Sequence, residues 1–409
     1  MKRITIVCTL SIAVIFAKAQ NELDKNIVSL NIESGKISIK QLQSLVNEMG
    51  NHQIVGLGEG THGTKEFNDL RIDIVKELVE KKGFRIICFE NAFGDSYYFN
   101  RFINSKENIK IGMKKYLISL WQTKEIEMLF KWIRKFNQEH SNKIMFTGMD
   151  FNYMENTAKI IKNELLHSNN QTLLNLSDTL IACTHYYDSI WTVQNDTTLN
   201  INYDAVFAKM RKGYSVSQKI DSLVKAENID VNDTFKTAVL NCKFWIVGEE
   251  NRDKGMAEMA VNIAKNNKMI VWAHAIHLAL KSAFQDNSVG GCGGYIKQQI
   301  PDYFVLGTGT ANGTYSGTPE RFDTHINPMF SYPLPTVKEN TWDKYFADKN
   351  QPASFINFDK VKNDTTKLPL RMVGYGTPEG IGYSDKTNLP QLFDAYIFIK
   401  TTHAANHDL

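Results

Sequence analysis

The sequence predicts an α/β fold: a mostly parallel central sheet with flanking helices, and a mainly helical insertion forming one wall of a deep cleft. Three observations predict it. Short apolar runs, the pattern of strands buried on both faces, end repeatedly on acids or histidines. Gln53–Leu57 leads to Glu59 and His62, Arg85–Phe89 to Glu90, Ile144–Met149 to Asp150, and Met269–Ala273 to His274. Helical periodicity follows the first of them, from Lys65 to Lys82. From Asn156 to about Glu249 only helical segments such as AKIIKNELL are visible. If the strands are parallel neighbours, their chemical side chains converge on one rim, where open α/β sheets build sites.

Residues 1–19 read as a secretory signal. Lys2 and Arg3 precede an apolar run from Ile4 to Phe16, and Ala17-Lys18-Ala19 forms an A-x-A cleavage site. The run is too short to anchor the chain in a bilayer, so a periplasmic or secreted protein without a stable membrane anchor is expected. Cleavage removes three of 47 basic residues and none of 44 acidic ones, leaving a net charge of about zero. Without a basic stripe, nucleic acid is not expected as a partner. Four cysteines remain, Cys88, Cys183, Cys242 and Cys292, widely spaced and without a C-x-x-C, so zinc-ribbon and thioredoxin readings fail. An oxidising compartment would permit a Cys183–Cys242 bridge, which the sequence leaves open.

The first part of the catalytic core spans 20–155 and carries VGLGEGTHGTKE, Val55 to Glu66. Here a carboxylate and an imidazole stand three residues apart on a glycine-rich turn between strand and helix. Gly58, Gly60 and Gly63 also satisfy G-x-G-x-x-G, with Glu90 roughly where a ribose-binding acid belongs. Glu59 argues against a dinucleotide, because it puts a negative charge where a pyrophosphate needs bare amides. Export argues the same way. On the following helix Phe67, Leu70, Ile74, Val75 and Leu78 form an apolar stripe, and Arg71 falls on it. A guanidinium aimed inward needs a partner, and Glu59 and Glu90 are the candidates. Arg71 reads either as a structural ion pair or as one that also touches substrate.

The insertion, 156–250, contains THYYDSIW, whose Tyr186, Tyr187 and Trp191 offer apolar area for a ligand or ordinary helix packing. The second part of the core, 251–409, begins with a helix from Asp253 to Lys265 and then VWAHAIHLAL, which places His277 one helical turn after His274. Tyr303–Leu306 and Ala395–Lys400 read as further strands. Gly307–Pro319, with four glycines, and 327–390, rich in Pro and Asn, read as surface loops and lids.

No G-x-S-x-G elbow, H-E-x-x-H or catalytic cysteine signature is present. What remains is Glu59, His62, Arg71, Glu90, His274 and His277: a base, orienting carboxylates and donors without a nucleophile. That set suits hydrolysis by an activated water. Glu59-x-x-His62 with Glu90 and His274 also has the ligand types for zinc, manganese or iron, so a metal-dependent hydrolase stays open. A non-catalytic protein that binds an apolar ligand is the third reading.

GEGTHGTKEF, FEN at Phe89–Asn91, RDKGMAEMA from Arg252 to Ala260, VWAHAIHLAL and FDAYIFI resemble the erythromycin esterase family, in order from about residue 40 to 400. The resemblance implies hydrolysis of the macrolactone ester of macrolide antibiotics without a serine nucleophile, a metal or another cofactor, and hence antibiotic resistance. By position, His62 resembles the general base, Glu59 and Glu90 its orienting acids, and Arg71, His274 and His277 the remaining polar wall. Ala275 stands where the family commonly has asparagine. The large apolar wall expected for such a substrate draws on Tyr97, Tyr98, Trp121 and Trp191, with Asp150 as a further substrate contact.

Overall fold

The computed structural model describes residues 22–247, 252–285 and 288–409. The predicted signal and the last residues of the predicted insertion therefore lie outside the described residues. The sheet has nine strands: β1 (Val28–Leu30), β2 (Ile54–Glu59), β3 (Ile86–Ala92), β4 (Met145–Asp150), β5 (Met269–His274), β6 (Tyr303–Gly317), β7 (Phe330–Pro333), β8 (Ala353–Asn357) and β9 (Ala395–Thr402). Their order is β1-β8-β9-β6-β2-β5-β3-β4, with β7 paired to the far end of β6. The six strands from β9 to β4 are mutually parallel; β8 pairs antiparallel with both β9 and β1.

Alternation along these strands explains why they read as unbroken apolar runs. Ile54, Cys88 and Met269 enter the core on one face, while Val55, Ile87 and Ile270 enter the core on the other. Successive side chains point to opposite faces, and here both faces are covered.

Among the described residues the longer α-helices are α1 (Gln43–Met49), α2 (Lys65–Lys82), α3 (Phe93–Ile103), α4 (Ile109–Tyr116), α5 (Lys124–Glu139), α6 (Glu155–Leu165), α7 (Gln171–Val193), α8 (Tyr203–Ala226), α9 (Asp233–Val247), α10 (Arg252–Ala264), α11 (Cys292–Gln299) and α12 (Trp342–Ala347). Helix α2 ends at Gly83, whose φ of 78° is the left-handed conformation that closes many helices. Its predicted stripe is buried. Between β4 and β5 the described chain is helical, α6 to α10. Among the described residues no helix is long and apolar enough to cross a membrane.

Two expectations are corrected. The glycine-rich stretch after Leu306 is not a loop: β6 continues through it to Gly317, fifteen residues in all. Its glycines make room for β9 and its approach, since a Cβ at Gly309 would sit 1.9 Å from the Tyr396 hydroxyl and one at Gly307 2.7 Å from the Phe393 ring. The segment 327–390 likewise contains β7, α12 and β8. No Cys183–Cys242 bridge forms, as both thiols are free and buried.

Candidate active site

The strand order places β2, β5, β3 and β4 side by side, so Glu59, His274, Glu90 and Asp150 share one edge of the sheet. Glu59 and His274 are register partners on β2 and β5. Immediately beyond Glu59 the chain turns through Gly63, whose φ is +62° and whose added Cβ would lie 2.3 Å from the Ser316 carbonyl oxygen. Only glycine fits there.

That turn folds His62 back on Glu59. The Nδ1 of His62 lies 2.6 Å from Glu59 Oε1. The other carboxylate oxygen accepts from Arg71 Nη2 at 2.5 Å, and the same nitrogen donates to Asn68 Oδ1 at 2.8 Å. Arg71 has no exposed surface, and its guanidinium lies over Trp272, 3.9 Å from the ring centre. Burial pulls its pKa down to about 10 against the pull of Glu59, so it stays charged at neutral pH. Arg71 thus lies beneath the rim and not on its wall: it holds Glu59, and Glu59 holds the imidazole. With Nδ1–H donated to a carboxylate, the Nε2 of His62 is the basic nitrogen, and among the described residues it has no hydrogen-bond partner.

His274 is arranged differently. Its Nδ1 accepts from Ile276 N–H at 3.3 Å, and its Nε2 meets the Val373 carbonyl at 3.2 Å. The imidazole is therefore the neutral Nε2–H tautomer, and burial with two neighbouring imidazoles holds its pKa well below the histidine range. Its ring centre is 4.6 Å from that of His62. Both of its nitrogens are engaged with the backbone.

Glu90 is the hub of a second network. Its Oε2 accepts the His274 backbone N–H at 3.0 Å, and its Oε1 meets Arg252 Nη2 at 3.0 Å and His277 Nε2 at 3.4 Å. Burial would raise this carboxyl; His277, Arg252, His62 and the His274 amide outweigh burial and hold it below the usual range. Arg252 also grips Asp150 through Nε at 3.2 Å and Nη2 at 2.5 Å. The Nη1 of Arg252 is without a hydrogen-bond partner among the described residues. The Nδ1 of His277 lies 2.7 Å from Asp253 Oδ1. Burial opposes protonation of His277, but Glu90 and Asp253 prevail and raise its pKa.

The expected ligand contacts fare unevenly. Asp150 is 1% exposed and committed to Arg252, so it presents no face to a ligand. Trp121, also 1% exposed, stands behind the imidazole: its ring is edge-on to His62 at 5.8 Å, and its Nε1 donates to the Glu90 carbonyl at 2.9 Å. Tyr97 packs edge-on to Tyr98 at 5.5 Å against the core. Trp191, half-buried, donates from Nε1 to the Asp323 carbonyl at 3.0 Å. Arg252 and Asp253 carried no assigned role from sequence; the RDKG block that opens α10 was their only signal. Val373, which also accepts from the His62 backbone N–H at 3.1 Å, had none.

The metal reading loses its donors to these bonds. Both oxygens of Glu59 and both nitrogens of His274 are engaged, and among the described residues no group of three or more His, Cys, Asp or Glu could hold a metal ion.

Comparison with known proteins gives the family. The family profile "Erythromycin esterase" matches residues 79–402. The Bacillus subtilis (strain 168) protein named "Putative hydrolase YbfO" is 24% identical over 369 residues, 81% of this chain and 80% of its own. Escherichia coli erythromycin esterase type II is 22% identical over 357 residues, 78% of this chain and 84% of its own. A mutant of the erythromycin esterase EreC, solved in its open conformation, shares the fold: TM-score 0.67 at 17% identity, over 94% of this chain and 100% of that one. The profile alone spans well over half the sequence, and the chain belongs to the erythromycin esterase family.

Proposed function

We propose that the protein hydrolyses the lactone ester of macrolides, and so inactivates such antibiotics, by direct attack of a water that His62 deprotonates. The observation that carries this reading is the line from Arg71 through Glu59 to His62, which leaves the Nε2 of His62 as a basic nitrogen at the rim. Membership of the erythromycin esterase family supports the ester as the bond broken. The similarity to E. coli erythromycin esterase type II supports a macrolide as the substrate class.

In this mechanism water gives a proton to Nε2 while its oxygen attacks the ester carbonyl carbon. Glu59 stabilises the imidazolium that forms and keeps the ring in the productive tautomer. The free Nη1 of Arg252 donates to the oxyanion of the tetrahedral intermediate, a contact of a kind worth about 3–4 kcal/mol. Collapse breaks the ring C–O bond as the His62 imidazolium returns its proton to the departing alkoxide, leaving an alcohol and a carboxylic acid that ionises in solvent. Trp191, and Tyr97 with Tyr98, are assigned to the apolar wall. The predicted signal would export the enzyme to the periplasm or medium, where it would meet the antibiotic before its target.

The test is mass spectrometry of erythromycin incubated with purified protein. Gain of one water is expected, and His62→Ala should lower that rate by about 10² to 10⁴, the usual worth of a general base. Bound but unchanged antibiotic would overturn hydrolysis in favour of a binding protein. Full turnover by the His62→Ala protein would remove His62 as the base.

A further inference from the structure

Two glycines of the VGLGEGTHGTKE stretch have no role yet, Gly58 and Gly60, one on each side of Glu59. Neither has a positive φ, so a left-handed backbone is not the reason for them. Crowding is. A Cβ on Gly58 would lie 2.8 Å from the Ala275 Cα and 3.1 Å from the Leu306 carbonyl oxygen, and one on Gly60 would lie 2.1 Å from the Thr308 carbonyl oxygen. Strand β6 therefore passes directly against the backbone that carries Glu59.

The register shows why it comes so close. On the β5 side, β2 is paired to its last residue, Glu59 with His274. On the β6 side the pairing stops at Leu57 with Leu306, while β6 runs on beside β9. Past Leu57 a side chain takes over from the ladder. The Thr308 Oγ1 accepts the Gly60 N–H at 3.1 Å and donates to the Gly58 carbonyl at 3.1 Å. A hydroxyl has one proton to give and lone pairs to accept with, so this one side chain bridges the peptides before and after Glu59. Thr308 is 1% exposed and presents no face to a ligand.

The bridge matters because two demands meet at Glu59. Its carboxylate is divided between His62 and Arg71, and Gly60 is the residue at which the chain leaves the strand for the turn that brings His62 back. The far end of that turn is held elsewhere: the Gly63 carbonyl accepts the Ser316 N–H at 2.9 Å and the Ala405 N–H at 2.8 Å. Thr308 holds the near end. If the Gly60 peptide shifts, the start of the turn moves relative to the carboxylate that its histidine must meet.

We propose that Thr308 is a positioning residue for the hydrolysis, acting through Glu59, and that Gly58 and Gly60 are glycines so that its strand can reach the backbone there. The kinetic consequence rests on the ester-hydrolysis reading above; the consequence for the His62 ring does not. Without the hydroxyl, the Gly60 N–H and the Gly58 carbonyl lose their partner on the β6 side. Glu59 is then held only by β5 and by its own carboxylate bonds.

The experiment compares wild type, Thr308→Val and Thr308→Ser. Valine keeps the shape of threonine without the hydroxyl, and serine keeps the hydroxyl. Two quantities are read: kcat and KM for erythromycin, and, with no substrate present, the tautomer of the His62 ring from two-bond proton–nitrogen NMR correlations, its signals identified by their absence in His62→Ala. Thr308→Val should lower kcat by about 10 to 10², the scale set by a misplacement of about 1 Å, while KM stays within about threefold of wild type. Thr308→Ser should stay within about threefold of wild type in both. The ring should be Nδ1–H in wild type and Thr308→Ser, and Thr308→Val should show a fraction of the Nε2–H form. Thr308→Ala gives the same comparison should valine fail to fold. An unaltered ring or an unaltered kcat in Thr308→Val overturns the proposal. So does a loss in Thr308→Ser as large as in Thr308→Val, which would make shape the cause, or a change in KM alone, which would place Thr308 at the substrate. A wild-type protein inert toward erythromycin, whose His62 ring still answers to the hydroxyl, overturns the hydrolysis reading and leaves the positioning of the ring standing.

Discussion

Replacing Arg71 by methionine tests the support beneath the site most directly. Arg71 and Glu59 are both 0% exposed and joined at 2.5 Å. Methionine keeps the packing on Trp272 but leaves a buried carboxylate without its cation, a change that costs about 3–5 kcal/mol. Glu59→Gln leaves the guanidinium unpaired and should cost a similar amount. If the two residues acted independently, the double variant would lose about 6–10 kcal/mol. Because one pair is broken in every case, the double variant should fall no further than either single one. Urea unfolding of the four proteins of this cycle should give a coupling of about 3 kcal/mol or more. Additive losses would refute the pairing. Enzyme assays add a second check: since Arg71 reaches no solvent, Arg71→Met should lower kcat through a misplaced Glu59 while KM stays near wild type. A KM effect alone would mean that Arg71 touches substrate.

Three further outcomes follow from the same geometry. Glu90 has a folded pKa below its unfolded one, so its stabilisation is present above about pH 4.3 and is lost as pH falls from there toward the folded pKa; Glu90→Gln should flatten that acid limb in denaturation curves, and an unchanged limb would contradict the network. His277 has a raised folded pKa, so its contribution is full below about pH 6.5 and fades as pH rises through the folded value; the deficit of His277→Gln should be largest in acid and shrink in base, and the opposite trend would show that His277 folds neutral. Gly63→Ala forces a Cβ to within 2.3 Å of the Ser316 carbonyl oxygen at a φ of +62°; it should cost about 1–3 kcal/mol and displace His62, seen as a lower kcat, and wild-type stability and rate would show that the turn tolerates a side chain.

The strands with both faces buried were legible because their apolar runs stop abruptly at polar residues. The α2 helix was legible from its stripe, and Arg71 could be recognised as inward-facing from its place on it. What stayed hidden has a common cause. Gly307, Gly309 and Gly313 read locally as a loop, yet they lie in β6, where Phe393, Tyr396 and Thr402 crowd its surface. Such crowding comes from residues nearly a hundred positions away. Trp121 and Asp150 were expected to meet the substrate, but a sequence does not show whether an aromatic ring or an acid faces a cleft or stands behind other side chains, as these two do. The role of Arg252 was hidden for the same reason, although its block stood out: its partners Glu90 and Asp150 are contributed by strands far upstream.

The division of labour at the rim follows from strand order. Were β5 not between β2 and β3, the Arg71–Glu59–His62 line and the Glu90–Arg252–Asp150 network would sit closer together, and Arg252 could compete with His62 for Glu59. The β5 strand instead inserts His274, an imidazole held neutral, between the two. It passes its backbone N–H to Glu90 and lays its ring against His62. A neutral spacer lets one carboxylate serve a base that must gain a proton while the other, locked to an arginine, stays ionised. A charge introduced there should therefore harm proton transfer more than folding. His274→Lys places an ammonium beside His62, which disfavours the imidazolium, so the acid limb of the kcat/KM profile should move to lower pH and the plateau rate should drop. His274→Gln keeps the site neutral and should leave that limb in place. Equal limbs in the two variants would mean that the two networks do not sense the charge between them.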